Sequence, residues 1–557
     1  MFEAKKNSLF EINKSKQAKS NSFIEKGLEK SAETLSGNMA KKYSTTGNTL
    51  VDQFGLTGAY KEPRQFTDIA KDCESAWAFD KRYAVLFIFY LRTIVRVVKL
   101  FNGASTETSQ KGAQLKHEAI MRMIWLYHKE KQIFLRNIGL FISLGSWKDI
   151  NTMLQYDLVY HGWDNRVLDW EFLGKLILTG LENRNTSELV KKYLPQLRSN
   201  NKCTTVEAQA DNMIAKWICS LLYGNKESTT NYKKYRQLKA SGTAHQWQQL
   251  ISRQQFDRID FDKIHGRALN LLVKSKFLAN QNLTDKYKTY VSNPEKETIK
   301  YTGFVHEVMD ICARQNSLHQ VPDYEQETAN KQFAELIKKG GASGQTDFIV
   351  VRDTSGSMSS PCPGTAMSCY NVAKSIALYF SYFLHGRFED AWIEFNNDAK
   401  MHKWTGKTPC EKWFNDKSSF VGSTNFQSVI DLFVKIKNQG VPEDEFPTGI
   451  LCISDGEFNP SGQLDETNVT VAKEKLYKCF SKEYADNFVI ILWNLQNSYY
   501  GRGNSGNKFE TYGNTPNAYY FSGYEPSVIS FLTARIKGAW ELFEVAMNQE
   551  ILNMIEI

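Results

Sequence analysis

The pattern of apolar and polar positions changes once along the chain. Between residues 66 and 339, apolar side chains recur three and four positions apart, which is the spacing of amphipathic helices. Asn102-Gly103, Gly145 and Gly162 interrupt this pattern in the way that turns do. These features predict successive helix pairs joined by short turns, as in an α-solenoid, although no strict sequence repeat accompanies them.

The second half of the chain has a different pattern, in which short apolar runs alternate with helical stretches. The predicted strands are residues 347–351, 390–395, 449–454 and 488–493, and the predicted helices are 366–384, 425–437 and 469–480. This alternation predicts a parallel sheet with helices on both faces. Residues 499–516 are rich in Gly, Asn and Tyr, and we expect them to form a long exposed loop.

Together the two patterns predict a multidomain α plus α/β chain, with a helical solenoid or ring followed by a Rossmann-like α/β domain. The predicted parts are a flexible tail rich in Lys, Ser and Asn (1–50), a basic helical domain (51–339), a Gly-rich linker (340–346), the α/β domain (347–535) and a C-terminal helix (536–557).

The net charge of +8 hides a strong asymmetry between these parts. Residues 346–557 contain 18 basic and 25 acidic side chains, whereas residues 1–345 contain 51 basic and 36 acidic ones. The front is therefore +15 and the back −7. Such a division suggests two domains with different partners.

Composition also narrows the cellular setting. No apolar stretch is long enough to span a membrane, and the amino end lacks the apolar core of a secretory signal. The nine cysteines are scattered and include no CxxC pair, so a zinc ribbon is not expected. We therefore interpret the cysteines as reduced thiols and expect the protein to be cytoplasmic.

The strongest local motif directly follows the first predicted strand of the α/β domain. It reads Asp353-Thr-Ser355-Gly-Ser357-Met, and so offers one carboxylate and two hydroxyls at alternate positions. Ligands of open parallel sheets bind at the carboxyl ends of the strands. Hard oxygen donors at that edge suit Mg²⁺ or Mn²⁺, with water completing the coordination shell. The side chain of Arg352, directly before the motif, is expected to point away.

Two further oxygen donors occur at matching places, Thr424 in a loop before a predicted helix and Asp455 after the strand GILCIS. The resulting order, DxSxS then Thr then Asp, resembles the metal-ion-dependent adhesion site (MIDAS) of von Willebrand factor A (vWA) domains. The resemblance implies that Asp353, Ser355 and Ser357 form the first ligand loop, with Thr424 and Asp455 in the second and third. It also implies a Mg²⁺ ion whose remaining coordination position takes an acidic group from a partner.

Catalytic interpretations of the same residues are weaker. Ser355 is not in a G-x-S-x-G elbow, and neither His385 nor His402 is placed to activate it. The phosphate-binding pattern GxxxxGK[ST] is also absent. Acidic residues near the third loop, Glu457, Asp465 and Glu466, are interpreted as solvated. The protein is therefore not expected to be an enzyme.

The helical half carries a second resemblance, through segments such as NIGLFISLGSWKDI (137–150), YKKYRQL (232–238) and FDRIDFDKI (256–264). Followed by a vWA-like domain, these segments look like a family of helical proteins that is itself similar to the TROVE module of the Ro ribonucleoprotein autoantigens. The resemblance implies a ring of HEAT-like helix pairs with a basic hole and a basic outer surface. It further implies binding of small structured RNAs and of misfolded RNAs with single-stranded ends.

The positive charge of the front half agrees with this implication, because phosphates attract Lys and Arg. Tyr193, Tyr232 and Tyr235 lie among the basic residues and are predicted to stack on unpaired bases. The candidate RNA contacts are Arg92, Arg96, Lys99, Arg122, Arg136, Lys148, Lys191, Lys192, Arg198, Lys202, Lys233, Lys234, Arg236 and Lys239.

Three hypotheses remain open from the sequence. The first is a non-enzymatic RNA-binding scaffold whose metal site closes the ring or recruits an acidic partner. The second is a protein–protein assembly module, including a viral or phage structural or accessory role, in which the metal site gates docking. The third is a metal-dependent hydrolase that uses the acids near Asp455.

Overall fold

The computed structural model describes most of the chain. The described ranges are 33–35, 41–43, 46–61, 63–94, 98–99, 105–106, 112–199, 202–224, 228–242, 246–264, 266–275, 280–301, 303–340, 348–384, 388–418, 420, 422–461, 467–496, 515–524 and 539–557. The predicted linker and the predicted loop at 499–516 lie largely outside these ranges.

Helices fill the described part of the front half, as the apolar spacing predicts. Their bounds are Thr49–Gly55 (α1), Phe66–Phe79 (α2), Lys81–Arg92 (α3), Lys116–Lys129 (α4), Lys131–Leu144 (α5), Lys148–His161 (α6), Trp170–Glu182 (α7), Ser187–Tyr193 (α8), Val206–Tyr223 (α9), Thr229–Ser241 (α10), Gln246–Ser252 (α11), Arg267–Val273 (α12), Gln281–Val291 (α13), Val305–Ala313 (α14) and Asp323–Gly340 (α15). The described part of the front half also contains two short antiparallel strand pairs. These are Glu33–Leu35 (β1) with Lys41–Tyr43 (β2), and Val98–Lys99 (β3) with Ser105–Thr106 (β4).

Several of these helices begin at a residue whose side chain caps the first turn. Asp80 accepts from the backbone N–H of Tyr83, and Ser228 accepts from that of Asn231. Such a cap satisfies one of the N–H groups that the first turn leaves without a helical partner. Helix α1 begins inside the stretch predicted as a flexible tail, and its Leu50 is fully buried.

The back half is an α/β unit built on one six-stranded sheet. Its strands are Phe348–Asp353 (β5), Ala391–Phe395 (β6), Ala399–Lys403 (β7), Gly449–Ser454 (β8), Val489–Asn494 (β9) and Ala518–Ser522 (β10). Its helices are Cys369–Ser381 (α16), Pro409–Phe414 (α17), Gln427–Asn438 (α18), Asn468–Cys479 (α19), Lys482–Asn487 (α20) and Ala539–Met547 (α21). The architecture is therefore an α part followed by an α/β part, as predicted.

The strand order is β10-β9-β8-β5-β6-β7, with five parallel strands and one antiparallel edge strand. The prediction of a parallel sheet holds for five strands and was wrong at β7, which returns beside β6 as a hairpin. The sequence of this edge strand, AKMHK, is polar and mostly exposed, so it lacks the apolar run that marks the other strands.

One apolar core joins the helices to the sheet. Side chains alternate along β5, so that Val350 enters the core shared with the front helices while Ile349 and Val351 enter the core on the opposite face. Trp493 of β9 belongs to the shared core as well. The sheet is therefore not an independent unit beside the helices, because one of its faces is buried in common with them.

The C-terminal helix α21 completes that shared core. Phe543 is fully buried, with its ring centroid 5.7 Å from that of Phe54 on α1 and 5.6 Å from that of Tyr83 on α3. The hydroxyl of Tyr83 donates to Glu544, and the side-chain N–H of Asn137 donates to the carbonyl of Glu556. The end of the chain thus closes onto its first helices. Among the described helices, none combines the length and the apolar character needed to cross a membrane.

We expect Phe543→Ala to destabilise the protein by about 3–5 kcal/mol, because it leaves a cavity in the core shared by both halves. The matched control is Val545→Ala on the same helix, where the side chain is 42% exposed and the change should stay within about 0.5 kcal/mol. Urea unfolding followed by tryptophan fluorescence measures both. Equal effects of the two substitutions would contradict the packing described for α21.

Candidate functional site

The motif that follows the first long strand lies at the carboxyl edge of the sheet, between β5 and β8. These strands are parallel neighbours, so Asp353 and Ser454 end side by side. The backbone N–H of Ser355 donates to Oδ1 of Asp353 at 2.8 Å, and the hydroxyl of Ser454 donates to Oδ2 at 2.6 Å. Both oxygens of the first carboxylate are therefore held in place.

Hydroxyl groups connect this carboxylate to the one that follows β8. Oγ of Ser355 and Oγ of Ser357 are 3.1 Å apart, and the Ser357 hydroxyl acts against burial by lowering the pKa of Asp455. The third loop turns at Gly456, whose φ of +83° is a conformation that favours glycine. Its N–H donates to Ser454 Oγ at 3.0 Å. The first and third predicted ligand loops thus meet directly.

The loop that carries Thr424 is attached to both of the others. The N–H of Gly356 donates to the carbonyl of Gly422 at 3.3 Å, and the N–H of Asn459 donates to the carbonyl of Thr424 at 2.9 Å. Gly422 has a φ of +96°, and a Cβ at this position would come within 2.8 Å of the Asn397 side chain. Thr424 is 2% exposed. The five predicted ligand residues therefore gather at one edge of the sheet.

The two carboxylates of the site are buried, and neither forms an ion pair with a basic side chain of the described residues. Burial and the neighbouring Asp455 raise the pKa of Asp353 to about 7, and burial raises the pKa of Asp455. Oδ2 of Asp455 is buried and has no hydrogen-bond partner among the described residues. Two adjacent buried carboxylates cost free energy unless a cation or proton neutralises them.

This donor set fits a hard divalent cation. Carboxylate and hydroxyl oxygens are the ligands that Mg²⁺ and Mn²⁺ prefer, and the orphaned oxygen of Asp455 is available to such an ion. No group of three or more His, Cys, Asp or Glu side chains suited to a metal occurs among the described residues. That finding is consistent with a set in which two members are carboxylates and three are hydroxyls.

Arg352 points to the opposite face of β5, as predicted, and its environment contrasts with that of Asp353. Its guanidinium lies 4.1 Å above the Trp392 ring and 2.8 Å from Oδ2 of Asp416, and it also donates to the Ser418 hydroxyl. Lys374 approaches the same Asp416 oxygen at 3.2 Å. The two buried cations hold the pKa of Asp416 well below its usual range.

This ion pair positions the site, and sequence reasoning missed it. Asp416 and Ser418 lie a few residues before Gly422 and Thr424, so their bonds to Arg352 tie the second ligand loop to β5. The segment WFNDKSS carries no motif that would reveal such a role. Of the acids near the third loop, Asp465 and Glu466 lie outside the described residues, and Glu457 is partly buried.

Two of the candidate RNA contacts are wrong. Arg92 is 3% exposed and pairs with Asp149 at 2.6 Å, while Arg122 is 1% exposed and pairs with Glu118 at 2.9 Å. Both side chains neutralise carboxylates inside the helical core, so they cannot reach a phosphate. A count of basic residues does not distinguish such internal partners from surface charges.

The remaining basic candidates are distributed unevenly. Arg136 and Lys148 are exposed on α5 and α6. Arg96 lies outside the described residues, and nothing is described of the side chain of Lys99. The others fall within residues 187–242, a region with ten basic and four acidic residues.

We call the exposed basic side chains of this region the basic surface: Arg198, Lys202, Lys233, Lys234 and Arg236. Helices α8 and α10 pack together and bring these residues near the half-buried Lys191 and Lys192. Lys239 is half-buried, and its ammonium donates to the carbonyls of Lys192 and Leu194 at the end of α8.

The tyrosines predicted to stack on bases differ in exposure. Tyr235 is fully buried, and its hydroxyl donates to the carbonyl of Pro195 at 2.9 Å, which removes it from the set of stacking candidates. Tyr193 and Tyr232 are partly buried. Stacking on a base therefore rests on these two side chains.

Comparison with known proteins bears on the α/β part. A protein-family model described as a domain of unknown function (DUF7788) matches residues 347–550. The matched range contains the whole six-stranded sheet and also α21, so it runs past residue 535, where the sequence suggested an end to the α/β domain. A comparison with curated proteins finds no match.

The contacts of Arg352 predict that substitutions of Arg352 and Asp416 have strongly non-additive effects on the free energy of unfolding. Asp416→Asn should destabilise the protein by about 3–5 kcal/mol, because it leaves two buried cations without a carboxylate. Adding Arg352→Met should restore much of this loss, since a buried arginine cannot lose its proton. Adding Lys374→Met instead should restore less. Burial lowers the pKa of Lys374 to about 8, so this lysine, unlike Arg352, can lose its proton when Asp416 no longer carries a charge. Urea unfolding of the singles and doubles measures the coupling, and additive effects would contradict it.

Proposed function

We propose that this protein is a non-enzymatic RNA-binding scaffold with a divalent-cation site. The helical part binds structured or misfolded RNA through its basic surface. The α/β part holds Mg²⁺ or Mn²⁺ and uses that ion to dock an acidic partner or another domain. The single observation that carries the proposal is that two charged features lie at different places in the protein. One is the basic surface on α8–α10, and the other is the buried pair of carboxylates without a basic partner at the edge of the sheet.

The finer fold assignment belongs to this proposal. We infer that the α/β part is a vWA domain and that the helical part is a HEAT-like, TROVE-related ring or solenoid. The position of Asp353 at the end of a central strand, with Thr424 and Asp455 on adjoining loops, supports the first inference. The successive packing of α2, α3, α4 and α5, helices of 12–14 residues, supports the second.

The cation is proposed to bind Asp353, Ser355, Ser357, Thr424 and Asp455. When bound, it supplies positive charge to two carboxylates that otherwise repel each other. The chain itself orients the donors: Ser454 holds Asp353, and Arg352 holds the second loop through Asp416. Ser357 and Gly356 are the least buried members of the motif, so a partner carboxylate would approach from their side.

The RNA-binding role is proposed for the basic surface. Its five exposed side chains lie on one packed group of helices and connecting loop, and few acidic side chains accompany them. Phosphate contacts of this kind are independent of base sequence, which suits a scaffold that binds structured or defective RNA.

A cytoplasmic location is part of the same proposal. The nine cysteines are free thiols, and eight of them are buried, which favours a reducing compartment.

Cation binding should be visible as a stability change without any partner. Saturating Mg²⁺ should raise the melting temperature of the wild-type protein, because binding to the folded state alone stabilises it. Asp353→Asn should be more stable than wild type in EDTA, since it removes the repulsion with Asp455, and should gain nothing from Mg²⁺. Differential scanning fluorimetry with and without Mg²⁺ measures both effects.

The matched control for this experiment compares two hydroxyls of one turn. Ser357→Ala should weaken the response to Mg²⁺, whereas Ser359→Ala should leave it unchanged, because the Ser359 hydroxyl is exposed and donates to the carbonyl of Gly356. A wild-type protein that shows no response to Mg²⁺ or Mn²⁺ would overturn the cation site.

RNA binding should depend steeply on salt. Each phosphate contact contributes about −0.7 to −0.9 to the slope of log K against log salt. Changing Lys202, Lys233, Lys234 and Arg236 to Gln should therefore make the slope shallower by about 3 and weaken binding to every RNA tested. Fluorescence anisotropy with a labelled stem-loop bearing a single-stranded 3′ end, at several KCl concentrations, measures this.

The control for the RNA experiment neutralises four lysines outside the basic surface. Lys71, Lys175, Lys263 and Lys482 have side chains that are 76%, 71%, 73% and 83% exposed. Changing these to Gln should alter the slope little. The RNA-binding proposal fails if both quadruple variants bind alike, or if the wild-type protein binds no RNA.

A further inference from the structure

A cavity of about 690 Å³ lies where the helices meet the α/β part. Its walls come from six stretches of the chain: residues 60–61, 113–117, 267–274, Tyr301 with 304–314, residues 364–367, and Tyr524. The volume is within the range of about 300–1,000 Å³ that is usual for small-molecule sites. The cavity is separate from the candidate cation site and from the basic surface, since it shares no lining residue with either.

The lining of this cavity has an excess of positive charge. Five cations, Lys61, Lys116, Arg267, Lys274 and Arg314, line it beside two acids, Glu307 and Asp310. The acids are already paired: Arg267 lies 2.8 Å from Glu307, and Lys274 and Arg314 each lie 2.7 Å from Asp310. A ligand that enters the cavity therefore meets a net positive lining whose acids are largely neutralised.

A buried histidine adds a polar group to this lining. His306 is 4% exposed, and its Nδ1 has no hydrogen-bond partner among the described residues. The ring stacks on Phe304 and contacts Tyr524 edge-on, at centroid distances of 5.6 and 4.5 Å. Burial lowers the pKa of His306 to about 4, so the imidazole is neutral at pH 7. Buried polar atoms without a partner are uncommon in folded proteins, and a ligand or water in the cavity would satisfy Nδ1 of His306.

The α/β part contributes a closed loop to the same cavity. Pro361 and Ser368 pair across the loop, and the N–H of Cys362 donates to the carbonyl of Met367 at 2.8 Å. The loop presents the exposed Ala366 and the buried Met367 to the cavity. Apolar side chains from the helices, including Leu115 and Leu271, also line it. The cavity thus joins apolar and cationic lining groups within one volume.

We propose that this cavity binds an organic phosphate of nucleotide size. Phosphate oxygens form strong charge-assisted hydrogen bonds with Lys and Arg. The cavity has several times the volume of a phosphate group, and apolar side chains lie beside its cations. It therefore suits a ligand that carries an organic ring in addition to the phosphate. The ligand is a nucleoside phosphate, either free or as the terminal residue of an RNA, and it touches both halves of the chain.

The test is calorimetric titration of the full-length protein with ADP in EDTA, with citrate as a probe of equal anionic character but different shape. We expect one ADP per chain and much weaker binding of citrate. Lys116→Met and Lys274→Met should each weaken ADP binding about tenfold. Ala366→Trp should abolish it, because an indole on this exposed loop fills the cavity from the α/β side.

The matched controls are Lys175→Met, an exposed lysine that pairs with Glu171 on α7, and Ala240→Trp at an exposed alanine of α10. Both should bind ADP as the wild type does. Competition by a 5′-phosphorylated hexaadenylate distinguishes the sources: displacement of ADP assigns the site to an RNA end, and no displacement assigns it to free nucleotide.

The proposal is overturned if ADP does not bind, if citrate binds equally well, or if the three cavity variants bind ADP like the wild type. It is also overturned if binding requires Mg²⁺ and is lost in Asp353→Ala, because the nucleotide would then belong to the cation site. Failure of the RNA or Mg²⁺ experiments leaves these outcomes unchanged, so the two proposals are tested separately.

Discussion

The burial of one face of the sheet against the helices is the constraint on which the rest of the structure depends. Because β5 is covered on both faces, its alternating side chains must all be accommodated inside the protein. Val350 and Arg352 therefore face α16 and the shared core, while Ile349 and Val351 face α18 and α19. The strand ends at the carboxyl edge of the sheet at Asp353, and this sets where a buried carboxylate meets the loops around it.

The same burial separates structural charges from functional ones. Arg352 is compensated by Asp416 and by aromatic rings, and Arg92 and Arg122 are compensated by Asp149 and Glu118. Asp353 and Asp455 receive only hydroxyl and backbone donors among their described partners, and burial raises the pKa of both. A fold that pairs these buried arginines with carboxylates but leaves Asp353 and Asp455 adjacent and without a basic partner retains the two acids at a cost in stability. Such a cost is typical of a site that binds something.

The elements that could be predicted from the sequence are those whose own residues determine their environment. The strands β5, β6, β8 and β9 are apolar runs bounded by turn residues, and the first and third ligand loops follow directly from where β5 and β8 end. What could not be predicted depends on distant partners. Strand β7 is polar because it is an edge, Asp416 matters because Arg352 is buried near it, and α21 is a core helix because α1 and α3 leave a space for Phe543. Arg92 and Arg122 were misassigned for the same reason, since charge in a sequence carries no information about burial.

The shared core also bears on how the two proposed binding sites would influence each other. The segment that carries Ser355 and Ser357 continues without a break into the loop 361–368 that lines the cavity, and the N–H of Cys369 donates to the carbonyl of Ser360 at 2.9 Å to hold the two together. A ligand in the cavity therefore contacts the continuation of the chain that would hold the cation. If occupation of one site shifts this segment, thermodynamic linkage requires that the other site respond by the same coupling free energy. The rigidity of the surrounding core makes a short segment, rather than a movement of whole domains, the simplest carrier of that coupling.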